Sequence, residues 1–150
     1  MVIVRVGKSR FALDVQLIRE IIKLKPITPI PHAPGFVEGL INLRGQIVSV
    51  INLGQRLSSL EKGFEFNAEP QPLTEERIVV MNQGGELIGL RVDAVDQVMT
   101  IDADSLEHPD ESGKQQAQGI VDGVFQTGDS LVLKLKSGLL LQPLNQEGVG

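Results

Sequence analysis

The chain has 150 residues, the size of one domain, and its 41% hydrophobic residues can fill a core. A formal charge of -5 and an aromatic content of 3% leave neither a cationic footprint for a phosphate backbone nor a platform for stacking bases, so nucleic acid is not an expected partner. The absence of cysteine excludes disulfides, thiolate metal sites and a cysteine nucleophile, and the lack of a signal-like or membrane-spanning apolar run leads us to expect a cytoplasmic protein with no direct membrane insertion.

Val, Ile and Leu dominate the apolar residues, and 16 Gly with 8 Pro supply turns, a mixture that favours an all-β fold. Val2 to Val6 reads as a strand, Gly7-Lys8-Ser9 as a hairpin turn and Arg10 to Asp14 as the returning strand. Val15, Ile18, Ile21 and Ile22 then recur close to helical spacing, while their β-branching keeps a strand open. PITPIPHAPG, residues 26–35, contains too many prolines for a helix or a central strand and is expected to be an extended connector or a loop. A strand pair around Arg44-Gly45 follows, then a short helix in GQRLSSL and a surface excursion that extends to Arg77. Ile78 to Met81 and Glu86 to Val92 read as strands joined through Gly84-Gly85, and Asp104-Ser-Leu-Glu107 as a capping box that starts a short helix.

Two halves of the chain echo each other. ALDVQLIREI (12–21) lies over GLRVDAVDQV (89–98), GFVEGLIN (35–42) over QAQGIVDG (116–123), and the turns Arg44-Gly45-Gln46 and Thr127-Gly128-Asp129 each precede an apolar strand, IVSVI and LVLKL. Neither half is large enough to hold a core comfortably, so the halves are expected to share one by packing face to face.

Little in the sequence suggests catalysis. His32 stands among prolines and His108 precedes Pro109, and neither has an evident triad partner. The acidic run DADSLEHPDE (102–111) lacks the glycine and spacing of a calcium loop, so no metal and no cofactor is expected. Arg44 is the conspicuous residue, a charge inside the apolar stretch GLINLRGQIVSVINL (39–53). Two readings stay open: an exposed hairpin residue in a solvated pair worth about 0–1 kcal/mol, or a guanidinium pinned beside an apolar surface by Glu20, where loss of one partner costs about 3–5 kcal/mol.

FALDVQLIREI, the proline-rich link, GFVEGLINLRGQIVSVINL, IGLRVDAVDQV and a late GIVDGVF with LVLKL together resemble the CheW family of bacterial chemotaxis coupling proteins across nearly the whole chain. The resemblance implies one CheW-like domain over residues 1–150, with the excursion near 54–77, built as two interleaved five-stranded SH3-like β-barrel subdomains around a shared hydrophobic core. It implies a non-enzymatic adaptor that bridges the helical-hairpin tips of transmembrane chemoreceptors and the regulatory domain of the histidine kinase CheA, at the receptor array. Glu20 and Arg44 match the family's paired acid and arginine, and Ile18, Gly39, Val95 and Val98 match positions bordering the groove between barrels where a receptor helix lies. Asn42, Leu43 and Gly45 belong to the first motif and Asp93 to the second. Two positions depart from the family: Asn52-Leu53 stands where an Asp-Leu pair is usual, and Ser112 where many members carry an aromatic kinase contact. An adaptor of another chemosensory system, for pili or second messengers, or a regulatory domain of a CheA-type kinase are the competing expectations.

Overall fold

Residues 1–7, 9–60, 75–98, 121–127 and 130–136 are described by the computed structural model. Among them are the strands β1 (Val2–Val6), β2 (Ser9–Leu13), β3 (Ile18–Lys23), β4 (Val37–Leu43) and β5 (Gln46–Asn52). The helix α1 (Leu53–Leu60) separates these from β6 (Arg77–Gln83), β7 (Glu86–Val92), β8 (Ala94–Val98), β9 (Val121–Thr127) and β10 (Ser130–Leu135). The capping box at Asp104, as well as His108 and Ser112, lies outside the described residues.

The strands form two five-stranded sheets, in the orders β8-β1-β2-β10-β9 and β3-β6-β7-β5-β4. Advancing every label of the first sheet by five positions around the cycle of ten reproduces the second sheet, including its single parallel contact, β10 with β2 in one and β5 with β7 in the other. The duplication is therefore structural, but the sequence halves are not the barrels. The first sheet takes β1 and β2 from the first half and β8, β9 and β10 from the second. This corrects the expectation that each half packs as a unit against the other, because the chain crosses between sheets after β2 and again after β7.

Residues 15–22 are not helical beyond a single 3-10 turn at Val15–Leu17; β3 begins at Ile18 and alternates half-buried and exposed positions. Isoleucine branching and pairing with β6 override the near-helical spacing. The proline-rich connector contributes one bridge, in which Thr28 N–H donates to Leu40 O at 2.9 Å and Leu40 N–H to Thr28 O at 2.8 Å. That bridge covers part of the outer edge of β4, which would otherwise be open to pairing.

Both faces of the inner strands are buried, so they read as continuous apolar runs instead of an alternation. In β1, Val2, Val4 and Val6 enter a large cluster with Phe11, Leu13, Ile51, Leu53, Leu57, Val79, Met81, Ile88 and Leu90, residues drawn from both sheets. Ile3, on the opposite face of β1, joins Ala12, Phe125 and Val132 in a smaller cluster within the first sheet. The second sheet has its own inner cluster of Ile41, Leu43, Val48, Val50, Ile78, Val80 and Leu87. Two barrel interiors thus flank one shared core, whose buried aliphatic side chains stabilise the fold by about 1.5–3 kcal/mol each before entropy is counted.

Candidate functional site

Strand β4 and strand β5 are joined by a tight turn in which Arg44 and Gly45 have φ of +51° and +86°. Two consecutive positive φ values mark a type I′ hairpin, whose twist matches the strands, yet an arginine occupies the position where a glycine would be unstrained. The corresponding turn of β6 and β7 uses Gly84 and Gly85 at +63° and +88°. Each turn is held by the same side-chain contact: Gly45 N–H donates to Asn42 Oδ1 at 2.9 Å, and Gly85 N–H donates to Asn82 Oδ1 at 3.1 Å. Asn42 and Gly45 therefore form the turn, while Leu43 is buried in the inner cluster of the second sheet.

The turn aims Arg44 at Glu20, and their side chains are ion-paired. The Arg44 side chain is 67% exposed and that of Glu20 24%, so the two sequence readings merge: the pair forms, but in a solvated setting in which its contribution to folding is about 0–1 kcal/mol. Glu20 lies on β3 and Arg44 adjoins β4, the two edge strands of the second sheet. A contact between opposite edges requires the sheet to curl upon itself.

The remaining candidates differ in exposure, from buried Gly39 to exposed Val98. Ile18 and Val95 are half-buried and pack against the shared core, at equivalent positions of β3 and β8, where Ile18 faces Met81 and Val95 faces Val4. Val98 is 68% exposed at the end of β8. Gly39 is buried, with φ of +147°, and a Cβ there would lie 2.1 Å from Thr28 O. Its need for glycine comes from the crossing connector. Asp93 accepts a hydrogen bond from Gly7 N–H at 2.7 Å, and its own N–H donates to Arg5 O at 2.9 Å, which ties the β1–β2 turn to β8. His32 is exposed in the connector, at φ of +63°. No group of three His, Cys, Asp or Glu side chains among the described residues could hold a metal ion, and no described helix is long and apolar enough to cross a membrane.

Three ionic assemblies escaped the sequence reading because their members are far apart in the chain. Between the edge strands β3 and β8 lies a cleft of about 240 Å³ lined by Ile21, Arg77, Arg5, Glu75 and Ala94 to Asp96. Arg91 bridges Glu38 at 2.5 Å and Glu76 at 3.0 Å. Burial lowers its pKa, but hydrogen bonds and charge from the two glutamates outweigh that effect and hold it above the usual arginine value. Asn52 extends this network: its Nδ2 donates to Glu38 Oε2 at 3.1 Å, and its Oδ1 accepts from Gln55 N–H at 3.0 Å, capping α1. Lys134, nearly buried on β10, reaches Asp122 at 2.9 Å and Asp14 at 3.5 Å. Burial works against its charge, and the two aspartates more than compensate, raising its pKa. A cation inside an otherwise apolar strand, as in LVLKL, was the available signal for it.

Residues 1–143 match the family model of the CheW-like domain. Among similar proteins, Chemotaxis protein CheW of Thermotoga maritima is 30% identical over 147 residues, covering 96% of this chain and 89% of its own length. Chemotaxis protein CheW of Treponema pallidum is 27% identical over 139 residues, covering 90% and 77%. The crystal structure of scaffolding protein TtCheW from Thermoanaerobacter tengcongensis superposes with a TM-score of 0.75 at 32% identity, covering 90% of this chain and 82% of that one.

Proposed function

Since this chain belongs to the CheW-like domain family, we propose that it is a chemotaxis adaptor that couples the helical-hairpin tips of chemoreceptors to the regulatory domain of a CheA-type histidine kinase. The observation that carries the reading is the placement of Arg44. Its left-handed backbone and exposed side chain are held toward Glu20 by a hairpin that would fold with less strain around glycine, and backbone strain kept at an exposed position is a mark of function. The role is that of a non-catalytic scaffold. The chain works in the cytoplasm and reaches the membrane-associated array through its partners.

Docking follows helix-in-groove logic. Ile18 and Val95 anchor the walls of the inter-barrel region to the shared core, Val98 offers exposed apolar area, and the Arg44–Glu20 pair supplies a polar rim. Gly39 acts indirectly, by letting the connector cross β4. Co-sedimentation of the chain with receptor cytoplasmic fragments and, separately, with the kinase regulatory domain tests the reading. Binding of both, and a ternary complex in which the kinase pellets with receptor only when the chain is present, is the expected result. Failure to bind either partner would refute it.

A further inference from the structure

The hairpin that presents Arg44 stands at the edge strand β4, and the proline-rich connector secures only part of that edge. Thr28 and Leu40 exchange both of their backbone hydrogen bonds, as one rung of an antiparallel ladder. The next rung of this kind lies two residues along each chain in opposite directions, which sets residue 26 opposite Asn42. That residue is Pro26, which has no N–H. The bridge therefore stays isolated at Thr28 and Leu40, and the connector backbone has no donor at that rung for the Asn42 carbonyl near the end of β4.

The donor comes from the neighbouring side chain. Lys25 Nζ donates to Asn42 O at 2.5 Å, a hydrogen bond strengthened by the charge of the ammonium. The same asparagine grips the turn through its side chain, Oδ1 accepting from Gly45 N–H at 2.9 Å. Lys25 thus acts on the residue that builds the turn beneath Arg44. Two contacts tie the hairpin across the seam of the second sheet: Arg44 to Glu20 on β3, and Asn42 to Lys25 just beyond the end of β3. A hairpin held at one point can pivot, whereas two points fix its direction. We propose that Lys25 is a positioning residue for partner binding, its ammonium standing in for the amide that Pro26 lacks and steadying the turn so that Arg44 stays in register with Glu20. The proposal rests on the adaptor reading for the role of Arg44, and it adds a residue from another segment that acts through that arginine.

Titration calorimetry against receptor fragments and the kinase regulatory domain, in wild type and in an Arg44→Gly background, tests this. Lys25→Met, at an exposed position, should weaken binding of at least one partner about three- to tenfold, the effect of one lost hydrogen bond, and Lys25→Arg should retain it. In the Arg44→Gly background, where the side chain to be positioned is gone, Lys25→Met should change affinity less than about twofold. Pro26→Ala supplies an N–H at residue 26 and should recover part of the affinity lost in Lys25→Met. A lysine that serves stability alone would cost the same in both backgrounds, and equal losses would overturn the proposal. So would a loss that neither Lys25→Arg nor Pro26→Ala repairs. Amide exchange reports on the turn without any partner: Gly45 N–H should exchange at least about threefold faster in Lys25→Met than in wild type, and an unchanged rate would overturn the proposal too. Wild type that binds neither partner, with Gly45 exchange responding as stated, would defeat the adaptor reading and leave the link from Lys25 to the turn standing. Partners that bind wild type and Lys25→Met alike would defeat the proposal alone.

Discussion

Glu20 and Arg44 stand on opposite edges of one five-stranded sheet and are joined by an ion pair that spans its seam. Because the arginine is largely solvated, the contact shapes the surface more than it stabilises the fold. Arg44→Glu and Glu20→Arg should each lower partner affinity while shifting stability by no more than about 1 kcal/mol. The double exchange should recover part of the affinity, with a coupling of about 0.5–3 kcal/mol. Titration calorimetry on the four proteins, beside thermal melts, checks this, and additivity within about 0.5 kcal/mol would reject the pairing.

Arg44→Gly separates strain from function. Glycine adopts the φ of +51° without a Cβ conflict, so the variant should fold with stability equal to or up to about 1 kcal/mol above wild type. It should nonetheless bind partners less well. A stability loss with unchanged affinity would show that the arginine serves the hairpin alone.

Gly39→Ala should destabilise by more than about 2 kcal/mol, since the new methyl would meet Thr28 O in a backbone conformation that alanine rarely adopts. Denaturant unfolding measures this directly. Partner affinity of the fraction that remains folded should stay near wild type, because the glycine is buried beneath the connector.

Asn52 donates to Glu38 and caps α1 at once, a combination that a carboxylate cannot provide. Asn52→Asp keeps the cap acceptor but places two carboxylates face to face, and should cost about 1–3 kcal/mol at neutral pH. Adding Glu38→Gln should restore most of that loss. No recovery in the double variant would show that the Glu38 contact does not matter.

Lys134 gives a pH signature. Its folded pKa is raised above the ordinary 10.5 by Asp122 and Asp14 despite the opposing effect of burial. The stability it adds is therefore fully present below that ordinary value and is lost as pH rises through the raised one. Melting temperature should fall on the alkaline side above about pH 10.5, and Lys134→Met should flatten that limb while lowering the melting temperature near neutrality. An unchanged alkaline limb in the variant would remove Lys134 from the account.

The sequence by itself determined where the chain turns, which segments are buried and that the unit is duplicated. Glycines at the hairpins, β-branched runs buried on both faces and recurrence of the motif at Ala12 and Gly89 are local properties, written in residue type and spacing. Only the tertiary structure decided which strand lies beside which, because backbone hydrogen bonds are chemically alike at every residue and carry no label for their partner. Hence β8 joins β1 and β3 joins β6, an exchange between halves that periodicity cannot show. The same reason hid the cleft: Arg5, Ile21, Arg77 and Val95 come from four strands, and their charges converge only after the sheets have formed. Glu20 and Arg44 were legible as a pair through family resemblance, whereas the exposure that makes the pair a surface device instead of a buried bridge depends on how tightly the second sheet curls.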